Sequence, residues 1–227
     1  MQKHLYLAWA DEGVSRREFS DRVREAAIPA LLDLGAPRVK ATVAEADPPR
    51  LAVIPYARRP AALFSIEGDP PPAPAACAEA LGPLGGRLAG YRVDEAVPRR
   101  YARDWPDGQP TPGVGLLTIF RRPRGVDDST FFRRWHGGHT ALTFTVHPLW
   151  GYIRNVVLNP IVEGSPRFDA IVEEHFRERR DLTNPVRFFG GPRAMVPNMI
   201  RVGLDIRGFI DPASLESYFV TETIVRS

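Results

Sequence analysis

The segment "GVSRREFSDRV" at 13–23 lines up with "GVDDSTFFRRW" at 125–135, setting Gly13 over Gly125, Val14 over Val126 and Phe19 over Phe131 at a constant offset of 112 residues. Each copy follows a short apolar run, "LYLAWA" or "GLLTIF", and opens a stretch whose apolar spacing suits a helix. Ser15 is placed to cap the first helix, with Glu18 three residues on, and Asp127 or Asp128 to cap the second. A chain that starts two halves the same way is constrained to build the same unit twice.

The remaining pattern fills in that unit. The first helix is expected to end near Gly35, and "RVKATVAEA" and "AALFSIEG" read as strands by their β-branched content. A short helix near 75–84 and a strand near 86–95 follow. The second half gives strands in "LWGYIRNVV" and "FDAIVEEHF", helical material over about 179–202, and a last strand in "LESYFVTETIV". Both halves read β-α-β-β-α-β, the ferredoxin-like order. The expected organisation is an α+β chain with units at 1–97 and 113–227, joined by a Pro- and Gly-rich linker at 98–112. A four-stranded sheet with helices on one face needs its other face covered. The second sheet supplies the cover, which predicts an intrachain dimeric α/β-barrel with a cavity between the sheets.

Composition narrows the function classes. Thirty basic residues stand against 27 acidic ones, a formal charge of +3, and the arginines are scattered among acids rather than clustered. That gives no footprint for nucleic acid or an anionic membrane. Cys77 is alone, so no intrachain disulfide forms. No segment approaches the roughly 20 apolar residues of a membrane span. A cytoplasmic protein, with homodimerisation open, is the expectation.

The second half resembles the EthD family. "GVDDSTFFRRWHGGHTAL", "LWGYIRN", "FDAIVEEHF" and "GFIDPASLESYFVTE" occur in that family's order over roughly residues 114–225. Carried over residue by residue, the family's pattern falls on Trp135, His139, Tyr152, Asn155, Asp169 and Glu173. Val23 and Ala27 stand where Trp135 and His139 would be, so the N-terminal half reads as a degenerate copy that contributes an apolar lid. The resemblance implies a small-molecule enzyme acting on an aromatic or polyketide-like substrate by cofactor-independent proton transfer, such as cyclisation or dehydration. The alternatives are a monooxygenase or other oxidoreductase of the same barrel, using oxygen or haem, and a non-catalytic binder.

In that setting His139 is the candidate general acid or base, since a neutral imidazole exchanges protons near pH 6.5. Tyr152 is a candidate donor to a developing enolate. Asp169, Glu173 and His175 alternate with Ala170, Val172 and Phe176, so a strand puts the polar set on one face, with Glu173 expected beside His139. Trp135, Asn155 and His175 are candidate substrate contacts. His136 and His139 form a His-x-x-His pair without a third ligand at set spacing, so no metal is expected. Gly137 and Gly138 between them are expected to bend the chain, turning His139 inward and His136 to solvent. "GPLGGRLAG" at 82–90 lacks the order of a phosphate loop and reads as a turn.

Overall fold

The computed structural model describes residues 1–49 and 52–227. Eight antiparallel strands close into a barrel: β1 (Gln2–Trp9), β2 (Arg38–Val43), β3 (Ala61–Gly68), β4 (Arg87–Arg99), β5 (Val114–Phe120), β6 (Gly151–Pro160), β7 (Ala170–Phe176) and β8 (Glu216–Arg226). The order around it is β1-β3-β2-β8-β5-β7-β6-β4, so the first four strands are neighbours as 4-1-3-2 and the last four as 8-5-7-6. The two arcs join at β2–β8 and β4–β6, and closure leaves no sheet edge unpaired.

The shared segment noted in the sequence starts a helix on the outside of each arc. Gly13 and Gly125 adopt φ of +84° and +82°, a conformation glycine takes without steric cost. Two residues later the cap forms: Ser15 Oγ accepts from the Glu18 amide at 3.2 Å, and Asp127 accepts from Thr130 at 2.7 Å. Phe19 and Phe131 are then buried against the sheet. The first helix comprises α1 (Arg16–Arg22), a π turn (Val23–Ala27) and α2 (Ile28–Asp33). Its counterpart comprises α4 (Asp128–Phe132), a π turn (Arg133–His139) and α5 (Thr140–Val146). Helix α3 (Pro74–Leu81) completes the first half, and α6 (Arg179–Thr183), α7 (Pro185–Phe188) and α8 (Met195–Ile206) the second.

Each strand therefore has two buried faces, and the apolar residues sort into three cores by strand parity. Tyr6, Ala8, Phe64 and Ile66 pack under the first helix layer. Leu116, Phe120, Val172 and Phe176 pack under the second with Phe131 and Trp135. Leu5, Leu7, Trp9, Tyr91, Ile119 and Tyr218 fill one end of the barrel lumen. The other end is open.

Two expectations are corrected. The chain does not leave the helix at Gly137–Gly138 but runs on through them as a π turn, whose i→i+5 bonds absorb one residue without breaking the helix. Strand β4 continues through Pro98 to Arg99, beyond the boundary at 97, because the β4–β6 register shifts between Ala96 and Arg99 and accommodates a residue with no amide hydrogen. Residues 98–112, read as a linker, fold across the open end of the lumen: the Thr111 amide donates to the Glu222 carbonyl at 2.7 Å, and Tyr101 stacks against Trp105. Among the described residues no helix is long and apolar enough to cross a membrane.

Candidate functional site

Two cavities lie on opposite faces of the C-terminal sheet, and of the residues singled out in the sequence Trp135, His139, Tyr152, Glu173 and His175 line one or both of them. The first cavity, about 260 Å³, sits between that sheet and its helices. Trp135, His139 and Tyr152 line it, together with Val172, Phe188 and Phe209. Trp135 and Tyr152 are almost fully buried.

His139 enters from the π turn, and α8 supplies its partner. The ring Nδ1 lies 2.7 Å from the Asp205 carboxylate. An ionised carboxylate accepts, so Nδ1 carries the proton and Nε2 presents its lone pair, 3.2 Å from the Thr143 hydroxyl. His139 is thus fixed in one tautomer with the basic nitrogen at the cavity wall. Opposite it stands Glu174, directly across the β6–β7 ladder from Tyr152. Its carboxyl is half-buried, near Tyr56 and Tyr152, and desolvation pushes its pKa from 4.5 up to about 8. At neutral pH it is mostly a neutral acid that can donate. His147, at the end of α5, stacks on Phe188 with ring centroids 4.0 Å apart and pairs Nδ1 with the Phe188 carbonyl at 2.8 Å. Burial drives its pKa down to about 4, so it is neutral.

The second cavity, about 670 Å³, is the open end of the lumen. Glu173 lies here and not beside His139. Residues 173 and 174 point to opposite faces of β7, and the alternation read in the sequence is present with the other set of residues facing the helices. Glu173 bonds Lys40 Nζ at 2.6 Å, and Lys40 lies 3.3 Å from Glu222. Burial alone would lower the lysine pKa, but the two carboxylates outweigh it and hold it raised. Burial would raise Glu222, yet Lys40 and His175 bring it down to about 2. Asn155 lines neither cavity: its Nδ2 donates to the Ile171 carbonyl at 3.1 Å and to Glu173 at 3.3 Å, and its buried Oδ1 has no partner among the described residues. His175 Nε2 meets the Pro112 carbonyl at 3.0 Å, and burial lowers its pKa.

Asp169 reaches neither cavity. It accepts from the Arg122 amide at 3.0 Å and tethers the chain at the start of β7. His136 is half-buried rather than solvated: its ring lies 4.6 Å from that of Trp135 and 5.0 Å from that of Phe132, and burial lowers its pKa to about 4. It lines neither cavity. Among the described residues no three His, Cys, Asp or Glu side chains gather as metal ligands do. The polar groups lining the helix–sheet cavity, His139, Thr143, His147 and Glu174 among them, come from the C-terminal half. The lumen draws Lys3, Lys40 and Thr42 from the N-terminal half.

Sequence reasoning missed Glu174, Asp205 and His147. The register signal for Glu174 existed, since pairing β6 with β7 sets it across from Tyr152. No local pattern marks Asp205, which lies 66 residues from His139.

No protein-family model matches the chain, and no curated protein matches it. Solved structures do. An anthrone oxidase-like protein superimposes with a TM-score of 0.57 at 11% identity, covering 99% of this chain and 91% of its own. A monooxygenase candidate from Fusobacterium nucleatum gives 0.54 at 8% identity over 99% and 92%. A dye-decolorizing peroxidase from Bacteroides thetaiotaomicron gives 0.50 at 9% identity over 98% and 93%. Likeness at such identities is likeness of fold, and the closed eight-stranded barrel, with all its strands in one chain, is of the dimeric α/β-barrel type.

Proposed function

We propose that the helix–sheet cavity is the active site of a small-molecule oxidoreductase that oxidises an aromatic, polyketide-like substrate with dioxygen and without a resident cofactor. The observation that carries this is the convergence of an oriented base, His139 held by Asp205, and a neutral acid, Glu174, on one apolar cavity. His139 Nε2 takes a proton from a C–H made acidic by a neighbouring carbonyl or aromatic rings. Glu174 donates a hydrogen bond to the enolate oxygen as charge develops there, in the manner of a carboxylic acid kept neutral by its surroundings. The carbanion then passes electrons to dioxygen. For a methylene substrate the balance is R₂CH₂ + O₂ → R₂C=O + H₂O, so no external reductant is needed. Tyr152 and Trp135 shape the cavity.

The similar folds named for oxidase and monooxygenase chemistry favour oxygen as co-reactant over the cyclisation or dehydration implied by the family resemblance. Those reactions would use the same acid and base but consume no oxygen. Haem, a much larger molecule than a tricyclic ketone, fits this cavity of about 260 Å³ poorly. EthD kinship and descent from a duplicated ferredoxin-like unit belong to the same reading. The 4-1-3-2 and 8-5-7-6 strand orders, and π turns at corresponding places in both halves, support it.

The test is oxygen uptake at pH 6.5 with anthrone and a panel of hydroxylated bicyclic and tricyclic ketones, scored against autoxidation without protein. Uptake should be catalysed for at least one member and fall about 10²–10⁴-fold in His139→Ala. His136→Ala should change it less than about tenfold, or roughly 1.4 kcal/mol. Turnover of the panel without oxygen consumption would move the assignment to proton-transfer chemistry. Binding without turnover would leave a carrier.

A further inference from the structure

The open end of the lumen is costly for a fold to keep. It is bounded by the starts of β1, β2, β5 and β6 and the ends of β3, β4, β7 and β8. The opposite end is packed with Trp9, Tyr91, Ile119 and Tyr218. The same packing here would fill about 670 Å³ and remove three buried charges. Buried ion pairs replaced by apolar side chains of similar volume are commonly neutral or stabilising, so Lys40, Glu173 and Glu222 are not explained by stability.

Charge distinguishes this cavity further. Its lining carries seven basic side chains against five glutamates, Glu67, Glu95, Glu173, Glu174 and Glu222, a formal excess of two positive charges. Deep in the cavity the charges are mutually satisfied. Lys3 pairs with Glu95, Lys40 bridges Glu173 and Glu222, and Glu222 accepts from Tyr101 and, at 2.9 Å, from Thr111. At the mouth they are not. Arg99 donates to the Leu149 carbonyl at 2.9 Å and lies 4.3 Å over the Phe144 ring, and Arg226 donates to the Ala36 carbonyl at 3.0 Å. Among the described residues neither they nor Arg100 has a carboxylate within salt-bridge reach, and Arg103 Nε is buried with no partner. Arg38 and Arg103 are paired, with Glu67 and Asp107.

We propose that this end of the lumen is a second ligand site, independent of the helix–sheet cavity, that binds a multiply charged oxyanion. Arg99, Arg100 and Arg226 hold its acid groups at the mouth, and its polar body reaches inward toward the Lys40–Glu222–Tyr101 network. Guanidinium groups suit the task because they present paired donors to carboxylate or phosphate. Arg99, Arg100 and Arg226 line the lumen and none of them lines the helix–sheet cavity, so the site and the proposed chemistry are tested by different variants.

Calorimetric titration of the full chain with citrate and with pyrophosphate, at low and at near-physiological salt, tests this. Saturable binding near one per chain is expected for at least one of them, weaker at higher salt. Tighter citrate would identify a polycarboxylate ligand and tighter pyrophosphate a phosphorylated one. Arg99→Gln combined with Arg100→Gln should weaken binding at least tenfold, and Arg226→Gln, a single change on the facing wall, should do so severalfold if the double variant fails to fold. His139→Ala should leave it unchanged. Arg17→Gln, whose side chain is 93% exposed on α1, should change it less than twofold. Absence of binding to both anions, or an equal loss in Arg17→Gln, would overturn the site in favour of diffuse charge attraction.

Discussion

Glu174→Gln gives the sharpest check on the electrostatics of the helix–sheet cavity. The wild-type carboxyl titrates near its ordinary 4.5 in the unfolded chain and near 8 in the fold, because burial penalises the anion. Between those values the native state holds a proton that the unfolded state has released. Stability therefore falls as pH rises through that window and levels off above it. Over the full interval the loss is about 5 kcal/mol, at 1.36 kcal/mol per pH unit. That is an upper bound, since the side chain borders a cavity that water can enter, and about half of it is a reasonable expectation. Glutamine is nearly isosteric with the protonated acid and does not titrate. Urea denaturation should give equal stabilities for the two proteins at pH 4.5, and a gap of about 2–3 kcal/mol in favour of Glu174→Gln at pH 8.5. Both proteins share every other titrating group, including His136 and His147, so the difference isolates position 174. A gap that is flat with pH, or that favours wild type at high pH, would refute the desolvated-acid assignment and with it the donor role in catalysis.

Two further outcomes follow from the lumen and the helix. Lys40→Met leaves Glu173 and Glu222 facing each other without their cation, and should cost on the order of 3 kcal/mol by denaturant titration, with much of it recovered when both acids are also changed to Gln. Gly137→Ala and Gly138→Ala should each stabilise by up to about 1 kcal/mol, measured as a rise in urea midpoint. Both glycines are helical, and an added Cβ at either would meet nothing within 4 Å. Destabilisation would mean that the π turn needs glycine.

What the sequence made legible was whatever local chemistry fixes. The Gly–Val–cap–Phe order at 13–19 and 125–131 encodes a turn, a helix start and a buried anchor within seven residues, and both copies fold that way. Strand parity in "FDAIVEEHF" is equally local, and Glu173 and Glu174 do point to opposite faces. Which face is which is not local. In a closed barrel wrapped by helices both faces of β7 are buried, so polarity alone cannot say which carboxylate meets His139. Only a strand with one wet face would direct Glu173 toward His139. The decisive partners come from far along the chain: Lys40 lies 133 residues from Glu173, and Asp205 lies 66 from His139. Each pair is made by the closure of the barrel or the docking of α8, events that leave no spacing in the sequence. The two cavities owe their separate characters to this, since one strand supplies an ionised acid to the lumen and, one residue later, a neutral acid to the helix side. Because both residues are glutamates, the difference belongs to the two environments: the acid beside Lys40 is held ionised, and the one beside Val172 and Phe188 is held neutral by desolvation. An adjacent pair of identical acids cannot fix the register of β7 by itself; Val172 and Phe176 in the helix-side core and Ile171 in the lumen do, since a one-residue slip would turn each of them to the wrong face.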